Sequence, residues 1–166
     1  MTAPDLVAAA EAARSHKVSV ALVEQPYRVA GRRSPAPARQ LDAAWIAVVE
    51  QLRDGDLKGL RLICGGRSAG ARVACRTATE LDPAAVLCLA FPVHAPGKGN
   101  DPSKRRLPEL DAVKVPTLVV QGDRDPFGMP PDGPKNRTVV RISGDHSLRD
   151  GAAVADAVSN WLARTL

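Results

Sequence analysis

The 166-residue chain carries a formal charge of +5 and is 45% hydrophobic, yet it holds one tyrosine, two phenylalanines and two tryptophans. That length supports one hydrophobic core, no Gly/Ser-rich linker interrupts it, and residues 1–166 read as a single domain. The basic residues gather at Arg28, Arg32, Arg33 and Arg39 and again at Lys104, Arg105 and Arg106, without the continuous basic face and stacking aromatics that nucleic-acid binding requires, so nucleic acid is excluded as a partner.

The first element is a helix from Pro4 to about His16. Leu6, Val7, Ala10 and Ala13 recur at helical spacing, Pro4 suits a first turn, and Asp5 is favourable at the positive helix end. His16 falls where this helix ends, in reach of its last carbonyls. Residues 18–24 form a Val/Leu run of strand character, followed over 25–39 by a loop rich in Pro and Gly. Leu41, Ala44, Trp45, Val48, Val49 and Leu52 mark a second helix that stops near Asp54 and Gly55. Strands are expected at 60–64, 85–91, 115–121 and 138–142, with a helix over 69–81, a long irregular excursion over 92–108 and a closing helix over 152–166. Near-continuous apolar strands alternating with helices predict an α/β fold: a mostly parallel sheet of about five strands with helices on both faces.

Cys64, Cys75 and Cys88 are odd in number and lack metal-ligand spacing. Free buried thiols in a reducing compartment are expected, and no metal or other cofactor. The N-terminus lacks a basic segment ahead of an apolar run and no stretch approaches a membrane span, which predicts a cytoplasmic protein without a membrane partner. No G-x-G-x-x-G or Walker-type loop points to a nucleotide.

The chemistry concentrates after three strands. Gly66-Arg67-Ser68-Ala69-Gly70 is a G-x-S-x-G sequence between the strand ending at Cys64 and the following helix. A nucleophilic serine there sits on a strained turn, with small residues on either side letting strand and helix approach. The Ala69 N–H faces a developing oxyanion at a helix N-terminus. The loop after the 115–121 strand carries Asp123 and Asp125, and the loop after the 138–142 strand carries His146. In a parallel sheet all three loops open on one edge. The order serine, acid, histidine is that of the α/β-hydrolase arrangement and differs from the two other common serine-triad folds. His146 would take the Ser68 proton and return it to the leaving group, while the carboxylate holds the imidazole tautomer.

The segments Gly65-Gly66-Arg67-Ser68-Ala69-Gly70-Ala71-Arg72, Phe91-Pro92-Val93-His94-Ala95-Pro96-Gly97-Lys98, Gln121-Gly122-Asp123-Arg124-Asp125-Pro126-Phe127-Gly128 and Gly144-Asp145-His146-Ser147-Leu148 resemble the compact bacterial α/β-hydrolases related to dienelactone hydrolase and to the testis-expressed hydrolase-like proteins. The resemblance implies Asp125, the fourth residue of a G-x-x-D turn, as the acid. It also implies a site mouth near His94, with Arg67 and His94 as substrate contacts; a loop histidine held by Pro92 and Pro96 is the plainer account of His94. Relatives carry further N-terminal strands and a His-Gly-rich loop that supplies a second oxyanion donor. Against that pattern this chain is an N-terminally shortened hydrolase core, missing a strand between those at 18–24 and 60–64. Strand edges left open in this way predict a homodimer or low stability, and a missing oxyanion donor predicts turnover lower by about a hundred- to a thousand-fold.

The expected function is a serine hydrolase cleaving an ester, thioester or related acyl bond of a small substrate. The competing expectation is a weak or inactive pseudo-hydrolase that uses the fold to bind a protein partner. The excursion over 92–108 is too short for a large lipase-type lid.

Overall fold

The apolar runs of the chain become a four-stranded parallel sheet in the computed structural model, which describes residues 3–95, 97–99 and 101–166. The elements follow in the order α1 (Pro4–Ser15), α2 (Pro26–Val29), α3 (Ala38–Asp54), β1 (Ile63–Arg67), α4 (Ala69–Leu81), β2 (Ala85–Leu89), α5 (Leu107–Asp111), β3 (Thr117–Gly122), β4 (Arg137–Ile142) and α6 (Gly151–Thr165), with a turn of 3-10 helix at Pro102–Lys104 before α5. The strands are neighbours in space as in sequence, and Cys64 aligns with Val86, Cys88 with Val119, and Val119 with Val139.

Side chains along each strand alternate between two cores, as the two-residue period of a strand demands. Leu89, Leu118 and Val120 point to one face, where they meet Ala9 and Ala12 of α1 and Val154, Val158, Trp161 and Leu162 of α6. Val86, Cys88 and Val119 point to the other, against Ala71, Ala74 and Cys75 of α4, Val49 of α3 and Leu110 of α5. A sheet covered on both faces explains why β2 and the middle of β3 read as unbroken apolar runs. The small residues of α1 and α4 allow close packing, and Asp150 caps α6 by accepting from the Ala153 N–H at 3.0 Å. All three cysteines are free and buried.

Several sequence expectations are corrected. Residues 18–24 do not enter the sheet: they run outside any regular element, and β1 has a strand partner on one side alone among the described residues. The sheet therefore has four strands where about five were expected, because an apolar run becomes a strand by pairing, and no described strand lies beside this one. Second, β1 begins at Ile63 and extends to Arg67, three residues later than expected. Gly65 and Gly66 read as turn residues but lie inside the strand; a Cβ at Gly65 would stand 2.8 Å from the Leu87 carbonyl oxygen. Third, the excursion over 92–108 is not wholly irregular, since Pro108 initiates the short α5. His16 caps no carbonyl with its side chain; its Nε2 lies 2.7 Å from Ser159 Oγ and ties α1 to α6. Among the described residues no helix is long and apolar enough to cross a membrane.

Candidate active site

The turn from β1 into α4 places Ser68 at φ 53°, ψ −110°, a conformation that a non-glycine residue adopts only under constraint. The constraint is local packing. A Cβ at Gly66 would come within 2.5 Å of the Gly70 carbonyl carbon, so strand and helix touch backbone to backbone two residues either side of the serine. The Ser68 N–H donates to the Leu89 carbonyl at 2.9 Å, anchoring the elbow to β2. Ala69 opens α4, so its N–H is one of the first-turn donors that a helix cannot satisfy internally.

The loops after β3 and β4 bring the other two residues to the same edge. Ser68 Oγ lies 2.9 Å from His146 Nε2, and His146 Nδ1 lies 2.8 Å from Asp125 Oδ2. An ionised carboxylate can only accept, so Nδ1 carries the proton toward Asp125 and Nε2 is left to accept from the Ser68 hydroxyl. The Asp125 side chain is fully buried and that of His146 is partly buried. Asp125 Oδ1 accepts from the Phe127 N–H at 2.8 Å. Asp123 serves a different purpose: it is exposed, and its Oδ1 accepts from the Gly144 N–H at 2.9 Å, joining the two loops.

Two residues of the site were not singled out from the sequence. Gln121, fully buried at the end of β3, donates through Nε2 to Asp125 Oδ2 at 2.8 Å, to the Gly128 carbonyl at 2.9 Å and to the Phe91 carbonyl at 3.2 Å. The signal available was a polar side chain closing an otherwise apolar strand, which must find partners when buried. Phe127 packs its ring 4.3 Å from the His146 ring, centroid to centroid, and shields it; an aromatic two residues after the acid was its only sequence signal.

Of the two expected substrate contacts, Arg67 lines the cavity beside Ser68, and both side chains are held by hydrogen bonds within the chain. The Arg67 guanidinium reaches Asp5 Oδ2 at 2.6 Å and the His146 carbonyl at 2.8 Å. His94 bonds through Nδ1 to the Ala95 carbonyl at 2.9 Å, and its ring is held between Gly99 and Gly128. Pro96, the second of the prolines expected to hold it, lies outside the described residues. A cavity of about 760 Å³ opens at Ser68, Ala69 and Gly70 and runs along the free edge of β1 toward Leu6, Ala13 and Trp161, with residues 18–25 forming its far wall. Among the described residues no group of three or more His, Cys, Asp or Glu side chains could hold a metal ion.

Residues 1–159 match the family profile described as the alpha/beta hydrolase domain. The chain belongs to the alpha/beta hydrolase family. Solved structures agree with this hydrolase in fold. An α/β serine hydrolase without a lid from Xanthomonas campestris is similar to the whole chain, over 75% of its own length, at 22% identity and TM-score 0.69. An alpha-beta serine hydrolase homologue from Coxiella burnetii is similar over 96% of the chain and 76% of its own, at 15% identity and TM-score 0.67. A hydrolase of the alpha/beta superfamily from Xanthomonas campestris pv. campestris covers 98% of the chain and 91% of its own, at 16% identity and TM-score 0.66. No curated protein sequence matches this hydrolase.

Proposed function

We propose that this alpha/beta hydrolase cleaves an ester, thioester or related acyl bond of a small substrate, with Ser68 as nucleophile, His146 as general base and acid, and Asp125 as the group that orients His146. The observation that carries the reading is the continuous relay from Ser68 Oγ through both ring nitrogens of His146 to a buried Asp125 carboxylate, at 2.9 and 2.8 Å. Ser68 Oγ attacks the acyl carbon as its proton passes to His146 Nε2, and the resulting oxyanion faces the Ala69 N–H. Collapse expels the alcohol or thiol, which takes the proton from Nε2, and leaves an acyl-serine. Water then attacks this ester, giving its proton to Nε2; the acid departs and Ser68 recovers a proton from His146. The apolar cavity beside Ser68 lies within the range of small-molecule sites and favours a substrate with an apolar acyl group.

The test is a fluorophosphonate probe on the intact chain, with adducts mapped by mass spectrometry. Labelling at Ser68, lost in Ser68→Ala and slowed by at least a hundred-fold in His146→Ala, is expected. A folded protein left unlabelled overturns the reading. One observation favours the alternative of a pseudo-hydrolase that binds a protein partner or a second copy of itself: among the described residues, one edge of β1 has no strand partner and faces a cavity walled by residues 18–25. Under that reading Ser68 stays inert while a partner covers the edge.

A further inference from the structure

We propose that Arg67 and Asp5 form a positioning pair for His146, setting the backbone of the general base from the far side of the nucleophile; the inference rests on the hydrolase reading above. Arg67 is the last residue of β1 and the immediate neighbour of Ser68. Its Nε donates to Asp5 Oδ2 at 2.6 Å while an Nη of the same planar group donates to the His146 carbonyl at 2.8 Å. One rigid guanidinium therefore links the nucleophile elbow, the His146 loop and the first turn of α1. A lysine ammonium, a compact charge on a flexible stem, has no such fixed fork.

Asp5 is fully buried, and its second oxygen accepts from the Leu6 N–H at 2.9 Å, so its carboxylate is fixed at the positive end of α1. A buried carboxylate is retained only with a partner of opposite charge, and Arg67 is that partner. Other ties hold the loop around His146 but not its carbonyl: Asp145 Oδ1 accepts from the Ser147 N–H and Asp123 Oδ1 from the Gly144 N–H. The ring is oriented by Asp125 and the backbone by Arg67. A general base has to stay within hydrogen-bond reach of two proton sites through the reaction, and an error near 1 Å costs about a hundred-fold in rate.

Four variants of the full chain test the assignment: Arg67→Met, Arg67→Lys, Asp5→Asn, and Asp5→Ala combined with Arg67→Met. Fluorophosphonate labelling of Ser68 is measured against pH and normalised to the folded fraction, and the His146 imidazole is followed by NMR. Arg67→Met is expected to label about ten- to a hundred-fold more slowly, with Arg67→Lys recovering part of the loss. Asp5→Asn is expected to label several-fold more slowly than the parent, because the guanidinium loses the charged partner that fixes its plane. The double variant is expected to label no more slowly than Arg67→Met, since Asp5 acts through Arg67. The hydrogen-bonded Nδ1 proton of His146, visible in the parent, is expected to broaden in Arg67→Met.

Variants that fold, label at the parent rate and keep a sharp Nδ1 proton overturn the proposal and reduce the pair to a structural clamp. If Arg67→Met does not fold, Arg67→Lys and Asp5→Asn decide it by the same readouts. A parent chain that labels nowhere defeats the hydrolase reading instead; the NMR signal then still decides whether Arg67 positions His146.

Discussion

Alanine at Gly66 and alanine at Gly70 are the same chemical change on either side of Ser68, and the structure predicts opposite outcomes. A Cβ on Gly66 would lie 2.5 Å from the Gly70 carbonyl carbon, 2.8 Å from its oxygen and 2.9 Å from the Ala71 nitrogen, all backbone atoms that cannot rotate aside. Ordinary contact begins near 3.4 Å, so β1 and α4 must part by about 0.9 Å. Overpacking of this kind costs about 1–3 kcal/mol, which lowers the unfolding temperature by about 2–4 °C per kcal/mol in a chain of this size. The displaced strand and helix carry Ser68 between them, and a shift of that size costs about a hundred-fold in labelling by a fluorophosphonate. A Cβ on Gly70, a residue that lines the cavity, meets nothing within 4 Å. Alanine there stabilises α4 by up to about 1 kcal/mol and leaves labelling within a few-fold of the parent. Thermal unfolding by circular dichroism and the labelling rate at Ser68 check both variants. Equal unfolding temperatures for the two, or an unimpaired Gly66→Ala, would refute the close-approach reasoning.

Gln121→Leu keeps the volume but removes the donor from Asp125, the Gly128 carbonyl and the Phe91 carbonyl; a loss of about 3 kcal/mol in urea denaturation is expected, with slower Ser68 labelling as Asp125 loosens. Burial pushes the Cys64 thiol up to about 12, and the hydrogen bond to Cys75, together with burial, raises Cys88 as well. Unfolded thiols ionise near 9, so between about 9 and 12 the unfolded chain binds fewer protons than the folded one, and stability falls as pH rises through that window. Each thiol contributes a slope of up to about 1.4 kcal/mol per pH unit. Urea denaturation at pH 7 to 10.5 checks this, with a shallower fall expected in Cys64→Ala.

Residue pattern revealed the longer helices best: the expected bounds of α4 match the observed ends, and those of α1, α3 and α6 fall within three residues of theirs. Strand existence was legible at β2 and β3 because a doubly covered sheet writes continuous apolar runs into the sequence, and at β1 and β4 from shorter apolar stretches. Pairing was not, since Val18, Val20 and Leu22 carry the same strand character as Val119 and Val120 yet have no neighbour to bond. The edges of β1 were misplaced because glycine signals both a turn and a close approach, and at Gly65 the second applies. At the candidate site, Ser68, Asp125 and His146 were legible because each follows a strand in order. The ties of Arg67 to Asp5 and the His146 carbonyl were not legible, because those partners lie 62 and 79 residues away. Gln121 was passed over because a single polar residue at a strand end looks like solvated surface until the loop that covers it is seen.

The joining of α1 to α6 has a consequence for how the molecule comes into being. Their packing brings together residues from opposite ends of the described chain; His16 and Ser159, for example, are 143 positions apart. Closing a loop that long is entropically slow compared with forming local turns. During synthesis the elbow at Ser68 and the first three strands can form as the chain emerges. The half of the core that α6 completes, and with it the berth of α1 that carries Asp5 to Arg67, must wait until the last helix is free of the ribosome. Refolding followed by hydrogen exchange should therefore protect the β2–β3 core before α1, and Ser68 should acquire its reactivity in the final phase.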